Sequence, residues 1–201
     1  MVLIMKSFEI IEKEALERGI PVMQKEGIDF LIEKLNEIKA QSLLEIGSAI
    51  GYSAMMMVSH VDGLKVETIE LNKERSDEAV CNIKERNLNS CITIYNDDAL
   101  EFDVNRLSNH PYDVLFIDAA KAQYQKFFEK YVPFVKDDGI IIVDNLDFHG
   151  MIFDIDNIKN RNTKQLVKKI KRFKDWIFNH DEYDVDYYSV GDGICVIKRK
   201  E

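Results

Sequence analysis

Leu43-Leu44-Glu45-Ile46-Gly47-Ser48-Ala49-Ile50-Gly51-Tyr52-Ser53-Ala54 is an apolar run that breaks at one glycine and resumes as a helix after a second. Leu43 to Ile46 is short, apolar and bounded by turn residues, the pattern of a parallel strand buried on both faces. Gly47 lets the backbone turn and a ligand approach, and the helix opening after Gly51 points its free N–H groups into the same space. A strand, a tight loop and a helix N-terminus in that order make a nucleotide-type site. The spacing is wrong for a dinucleotide fingerprint, because counting from Gly47 puts Ala49 and Tyr52 where G-x-G-x-x-G needs glycine. Glu45 would set a carboxylate against a pyrophosphate, so a cationic ligand suits the stretch better. A plain turn with Glu45 in solvent is the alternative reading of these twelve residues.

Outward from this stretch, helical spacing covers Ser7 to Arg18, ended by Gly19, and Ile28 to Ile38 after a loop from Pro21 to Gly27. Downstream, Leu64–Leu71 reads as a strand ending at Glu70, Glu74–Leu88 as a polar helix and Cys91–Tyr95 as a third strand. Asp97-Asp98-Ala99-Leu100 is expected to open a further helix. Tyr112–Asp118 is a fourth strand, apolar until its last carboxylate; Lys121–Val135 is a helix, and Gly139–Val143 a fifth strand ending in Asp144-Asn145. A loop from Leu146 to Asn162 leads to a helix from Thr163 to Asn179. Val185–Val190 and Ile194–Lys198 then form a hairpin about Gly191-Asp192-Gly193. Five βα units closed by that antiparallel hairpin predict an α/β chain: one seven-stranded sheet with helices on both faces, in one domain over residues 1–201. Residues 1–40 supply helices for a lid, a substrate contact or a dimer contact.

Composition bounds the partners. A formal charge of −9 argues against a surface that tracks nucleic-acid phosphates everywhere, while leaving room for a local basic face. Cys81, Cys91 and Cys195 are odd in number and lack C-x-x-C spacing, so no disulfide framework or zinc knuckle is indicated and a reducing cytoplasm is expected. Met1-Val2-Leu3-Ile4-Met5 is too short for an export signal, and no apolar stretch of about 18 residues follows, so no membrane span is expected.

In an open parallel sheet ligands collect at the carboxyl ends of the strands, where this chain carries Glu45, Glu70, Asp98, Asp118, Asp144 and Asn145. Glu70 is suited to the two hydroxyls of a ribose, and Asp98, with Ala99 beside it, to an adenine. Solvent exposure is the plainer reading of Glu70, and a helix N-cap that of Asp98. Two further carboxylates crowded at Asp118 and Asp144 would raise each other's pKa. A hard cation resolves that conflict, and two carboxylates with the Asn145 amide oxygen suit Mg²⁺ or another divalent cation. The alternative is that Asp118 caps the next helix while Asp144 and Asn145 make an Asx turn.

Leu43–Ala54, with E-x-G-x-x-x-G, then Phe116-Ile117-Asp118-Ala119-Ala120-Lys121-Ala122-Gln123-Tyr124 and Val143-Asp144-Asn145, resemble successive motifs of the metal-dependent class I O-methyltransferases of the catechol and caffeoyl-CoA type. The similarity runs in order from the Pro21 loop to the final hairpin. It implies a Rossmann-like fold, S-adenosylmethionine as methyl donor, a homodimer, a general base at Lys121 and metal ligands at Asp118, Asp144 and Asn145. It also implies donor contacts at Met23, Glu45, Gly47, Ser53, Glu70, Asp98, Ala99 and Asp118. The chain departs from the family after Asn145, where Leu146-Asp147-Phe148-His149-Gly150 is unusual company for a phenylpropanoid pocket.

Metal-assisted O-methylation needs neighbouring substrate oxygens, as in a catechol or in 5-hydroxyuridine. From Lys159 to Lys174 there are eight Lys or Arg residues and no acid, a basic segment just after the metal-type strand. Arg161, Lys164, Lys168, Lys169 and Arg172 are the candidate RNA contacts there, against the plainer reading of a solvated amphipathic helix. The whole pattern resembles the bacterial tRNA 5-hydroxyuridine methyltransferases. That resemblance implies a tRNA anticodon loop as partner, its wobble base flipped into the site and converted to 5-methoxyuridine. A small catechol-like substrate is the alternative. A non-catalytic sensor of the donor would need none of Asp118, Lys121, Asp144 and Asn145, and the glycine spacing argues against a dehydrogenase.

Overall fold

Ser7 caps the first described helix, its hydroxyl accepting the Ile10 N–H at 3.4 Å at the head of α1 (Phe8–Glu17). The computed structural model describes residues 7–200. The reading of Met1–Met5 therefore lies outside the described residues. α2 (Lys25–Glu37) follows the Pro21 loop, and together these helices bury Ile11, Ala15, Ile28, Leu31 and Leu35.

The remaining elements alternate as the apolar pattern predicts. They are β1 (Ser42–Ile46), α3 (Tyr52–His60), β2 (Lys65–Glu70), α4 (Lys73–Glu85), β3 (Ile92–Asn96), β4 (Tyr112–Ile117), α5 (Tyr124–Tyr131), β5 (Val135–Val143), α6 (Arg161–Phe178), β6 (Tyr183–Tyr188) and β7 (Ile194–Arg199). The sheet order is β3-β2-β1-β4-β5-β7-β6, parallel from β3 to β5, with β7 antiparallel to both of its neighbours. The chain works outward from β1 to β3, then crosses back to β4. The crevice outside β1 and β4 is therefore the switch point at which such sheets bind ligands.

Adjacent strand residues feed opposite cores. Leu43, Val66, Val114, Phe116, Ile140 and Ile142 pack with α1, α2 and α3, whereas Leu44, Ile46, Leu115, Ile117, Ile141 and Val143 pack with α5 and α6. Two strand carboxylates are fully buried, Glu45 on β1 and Glu67 on β2; Glu67 accepts hydrogen bonds from Tyr95 Oη (2.6 Å), Tyr112 Oη (2.5 Å) and the Asn109 N–H (2.8 Å). Burial pushes its pKa up, but these donors outweigh that and hold it below the usual carboxylate range. Glu67 thereby ties the β3–β4 connection to β2.

Three expectations are corrected. Asp97–Leu100 opens no α-helix; the connection contains a turn and one 3₁₀ turn at Val104–Arg106. The carbonyls of Leu100 and Phe102, which a helix would use, accept instead from Lys130 Nζ of α5 at 2.7 and 2.8 Å. The expected helix over Lys121–Val135 is divided into a 3₁₀ turn at Lys121–Gln123, α5 and a second 3₁₀ turn at Val132–Phe134, where Pro133 lacks the N–H to continue a helix. β5 starts at Val135 rather than Gly139, because Tyr112 pairs with Val135 before the register shifts. Among the described residues no helix is long and apolar enough to cross a membrane.

Candidate active site

A cavity of about 1230 Å³ opens at the carboxyl ends of β1, β2, β4 and β5. Its floor depends on Gly47. That residue has φ +96°, and a Cβ there would lie 2.4 Å from the Asp118 carbonyl oxygen, so only glycine lets the ends of β1 and β4 approach this closely. Ala49 takes the left-handed region at φ 46° and turns its N–H onto Glu70 Oε2 at 2.8 Å. Glu70 Oε1 accepts the Asn72 N–H, also at 2.8 Å. The Glu70 carboxylate thus clamps the loops after β1 and β2 together, and each oxygen retains a lone pair for a ligand. Ser48 is buried in the same wall, and its hydroxyl finds no partner among the described residues.

Of the residues expected to meet a methyl donor, Met23, Gly47, Ser53, Glu70, Asp98, Ala99 and Asp118 all line the cavity. Asp98 Oδ1 accepts the Leu100 N–H at 2.8 Å, and the Ala99 carbonyl accepts Tyr131 Oη at 2.6 Å, so a turn and α5 fix this wall together. Glu45 stands apart. It is fully buried and absent from the cavity lining; Oε1 accepts the Ser53 hydroxyl and Oε2 has no partner among the described residues. Burial pushes its carboxyl up to about 7, with the charges of Asp118 and Glu70 adding to the rise and the Ser53 hydroxyl opposing it. Its contact is with the helix that shapes the loop.

The opposite wall holds Lys121, Asn145 and Asp118. Asn145 follows β5 with φ 62°, a conformation asparagine tolerates. Its backbone N–H and its Nδ2 donate to the two oxygens of Asp144, at 2.7 and 3.0 Å, which leaves Oδ1 to accept Lys121 Nζ. The Asp144 carbonyl is held by Tyr124 Oη at 2.8 Å. Burial raises the pKa of Asp118 and of Asp144. Asp118 also raises that of Asp144, while Lys121 opposes the rise at both. Two carboxylates that disfavour each other's charge beside an amide oxygen form an all-oxygen donor set deficient in positive charge, which fits a hard divalent cation. Among the described residues no group of three or more His, Cys, Asp or Glu is disposed to hold a metal, so such a site depends on the Asn145 oxygen.

Three further residues line the cavity without having been given a role from the sequence: Asp192, Phe148 and His149. Asp192 in the β6–β7 hairpin is buried, lines the cavity and accepts the His149 N–H. Phe148 and His149 also line it, both with positive φ (47° and 56°). Gly191-Asp192-Gly193 reads as a turn, and only the topology brings β7 beside β5 and the hairpin over the cavity.

The basic segment divides in two. Arg161, Lys168, Lys169 and Arg172 are exposed on the side of α6 opposite Val167, Ile170, Phe173 and Ile177, with no acid within ion-pairing distance among the described residues. Lys164 donates to the Asp156 carbonyl at 3.0 Å, Lys171 pairs with Asp175 at 2.8 Å and Lys174 with Asp147 at 3.4 Å.

A family model described as O-methyltransferase matches residues 6–200. A crystal structure from Staphylococcus aureus, provisionally described as a caffeoyl-CoA O-methyltransferase, superposes with a TM-score of 0.92 at 32% identity, covering 97% of this chain and 93% of that one. Tapetum-specific methyltransferase 1 of Arabidopsis thaliana is 25% identical over 188 residues, 91% of this chain and 78% of that protein. An O-methyltransferase from Bacillus cereus, solved in complex with SAH, shares the fold at a TM-score of 0.81 and 24% identity, over 99% of this chain and 94% of that one. With nearly its whole length matched and the strand-end cavity intact, the chain belongs to the O-methyltransferase family.

Proposed function

We propose that this O-methyltransferase moves a methyl group from S-adenosylmethionine to the 5-hydroxyl of 5-hydroxyuridine at the wobble position of tRNA, with a divalent cation at Asp118, Asp144 and Asn145. The observation that carries the reading is the junction of two features: the Lys121–Asn145 pair in one cavity wall, with the buried Asp144 carboxylate holding Asn145 from behind the lining, and the acid-free stripe of α6 outside it. For the donor, support comes from the unpartnered Ser48 hydroxyl, the Glu70 clamp and the SAH held by a protein of the same fold.

Each residue has a task. Glu70 and the Ala49 loop present fixed polar groups to the sugar end of the donor, and Asp98 and Ala99 border its base. Asn145, pinned by Asp144, keeps its amide oxygen turned towards Lys121. Lys121 as the neutral amine takes up the proton leaving the substrate hydroxyl, or as the ammonium balances the oxyanion that the proton leaves behind. When bound, a divalent cation lowers the pKa of a chelated hydroxyl and fixes its neighbouring oxygen. Ile10, Leu16 and Ile38 keep apolar side chains exposed around the N-terminal helices, which supports a homodimer formed there.

A second reading, methylation of a small catechol-type substrate, draws on the printed names of relatives such as the caffeoyl-CoA O-methyltransferase of Stellaria longipes. It uses the same four residues and no basic stripe. Nucleoside mass spectrometry of tRNA from cells with and without the gene separates the two. Deletion should replace 5-methoxyuridine with 5-hydroxyuridine; unchanged 5-methoxyuridine overturns the tRNA assignment.

A further inference from the structure

A second cleft, of about 500 Å³, lies beside the cavity and shares two wall residues with it, Lys121 and Gln123. Its other polar walls come from two elements remote in sequence: Gln125, Lys126 and Glu129 on α5, and Lys169 and Arg172 on α6. Four cations therefore face a narrow space that contains one acid. Glu129 already accepts a hydrogen bond from Gln125 Nε2 at 2.8 Å. Lys126, Lys169 and Arg172 are exposed and have no ion-pair partner among the described residues, in contrast with the engaged Lys164, Lys171 and Lys174 on the same helix segment. The two cations of α6 that enter the cleft also belong to its acid-free stripe, so cationic side chains extend from the helix face to Lys121 at the edge of the cavity, with Glu129 the one acid among the cleft residues.

We infer that this cleft is a phosphate subsite, in which Lys126, Lys169 and Arg172 hold the RNA backbone phosphates next to the base inserted in the cavity. The assignment rests on the tRNA reading above. A flexible cation on each side of a cleft makes a point-charge clamp that is indifferent to sequence, and Arg172 can grip one phosphate through two N–H groups. Because Lys121 stands in both walls, a backbone held here passes directly beside the residue at the reacting oxygen. The cleft thus sets the register of the strand, and the cavity selects the base. A small catechol has nothing to place in it.

The test uses the full chain and an anticodon stem–loop RNA carrying 5-hydroxyuridine at the wobble position. Replacing Lys126, Lys169 and Arg172 together by Glu should raise the KM for this RNA at least tenfold while kcat stays within about threefold. The dependence of log Kd on log salt should flatten by about 0.7 for each single-strand phosphate that is no longer neutralised. A K169R/R172K protein, which keeps the charges, should restore most of the affinity. Glu at Lys39, Lys84 and Lys198, exposed lysines outside both cavities, makes the same change in net charge and should change neither quantity. Wild-type methylation of the RNA combined with an unshifted KM and salt slope in the triple variant overturns the cleft alone. Failure of the wild type to methylate the RNA overturns the tRNA reading and the cleft with it.

Discussion

On the Gly47 side of the cavity, the loop is shaped by backbone groups tied to one carboxylate, the Ala49 and Asn72 amides on Glu70. On the Lys121 side, the wall and the buried Asp144 behind it carry charges that are only partly matched: Asp118 and Asp144 are both shifted upward, and one lysine is hydrogen-bonded to an asparagine. The first arrangement is fixed by its own hydrogen bonds, leaves the Ser48 hydroxyl open, and suits a ligand that is held. The second is deficient in positive charge and suits chemistry in which a proton leaves and a cation is bound. Binding and turnover should therefore separate when the two sides are altered one at a time.

Asp144→Ala should have the largest effect. It removes a donor atom of the proposed cation site and frees Asn145 to rotate, so methyl transfer should fall by about 10³-fold. Binding of S-adenosylhomocysteine, followed by calorimetry, should stay within about threefold; a matching loss of binding would break the division between the two walls. Lys121→Ala should lower kcat by about 10²-fold, the size of a missing general base, with little change in the melting temperature. Steady-state kinetics at saturating donor will distinguish this from a surface role, in which kcat would be retained. Gly47→Ala acts where the two sides touch. The new Cβ meets the Asp118 carbonyl at 2.4 Å in a left-handed conformation, so stability should drop by about 1–3 kcal/mol and donor affinity at least tenfold. Denaturant melts and donor titration read these separately.

Glu45→Gln sharpens the comparison most finely. The buried Glu45 carboxyl has a pKa of about 7, above the 4.5 of an ordinary glutamate. Between those values the folded chain holds a proton that the unfolded chain has released, so this group's contribution to stability is full at low pH and is lost as pH rises from about 4.5 to 7. The glutamine variant cannot titrate. Between pH 5 and 7.5 the ligand-free wild type should therefore lose at least about 2 °C more in melting temperature than the variant. Equal losses would mean that Glu45 is already ionised at the lower pH.

The Gly47 side was the more legible of the two in the sequence, because glycine spacing, an apolar run and a terminal acid are local signals. Gly47, Ser53, Glu70, Asp98 and Ala99 all reach the cavity. Glu45 did not follow: its side chain turns to Ser53 under the loop, and which way one strand residue points depends on the register of β1 between β2 and β4. The missing helix after Asp97 was illegible for a related reason, since Lys130, from an element 30 residues away, takes the carbonyls that a helix would need. On the Lys121 side, Asp118, Lys121 and Asn145 could be picked out in sequence and His149 stood in a segment already placed near the pocket, but Asp192 could not be placed, because only strand order brings the β6–β7 hairpin over the end of β5. In the basic segment the sequence singled out Arg161, Lys164, Lys168, Lys169 and Arg172, but charge spacing does not show which cations meet an acid. The fold engages Lys164, Lys171 and Lys174 with acids and sets Lys169 and Arg172 opposite Lys126 on another helix.

Mass spectrometry of one reaction tests the central claim most directly: the purified chain, S-adenosylmethionine, Mg²⁺ and an anticodon stem–loop bearing 5-hydroxyuridine. The predicted result is a single methyl gained on that nucleoside, lost when the cation is chelated and regained when Mg²⁺ is restored. An RNA that stays unmethylated with donor and cation both present would contradict the account.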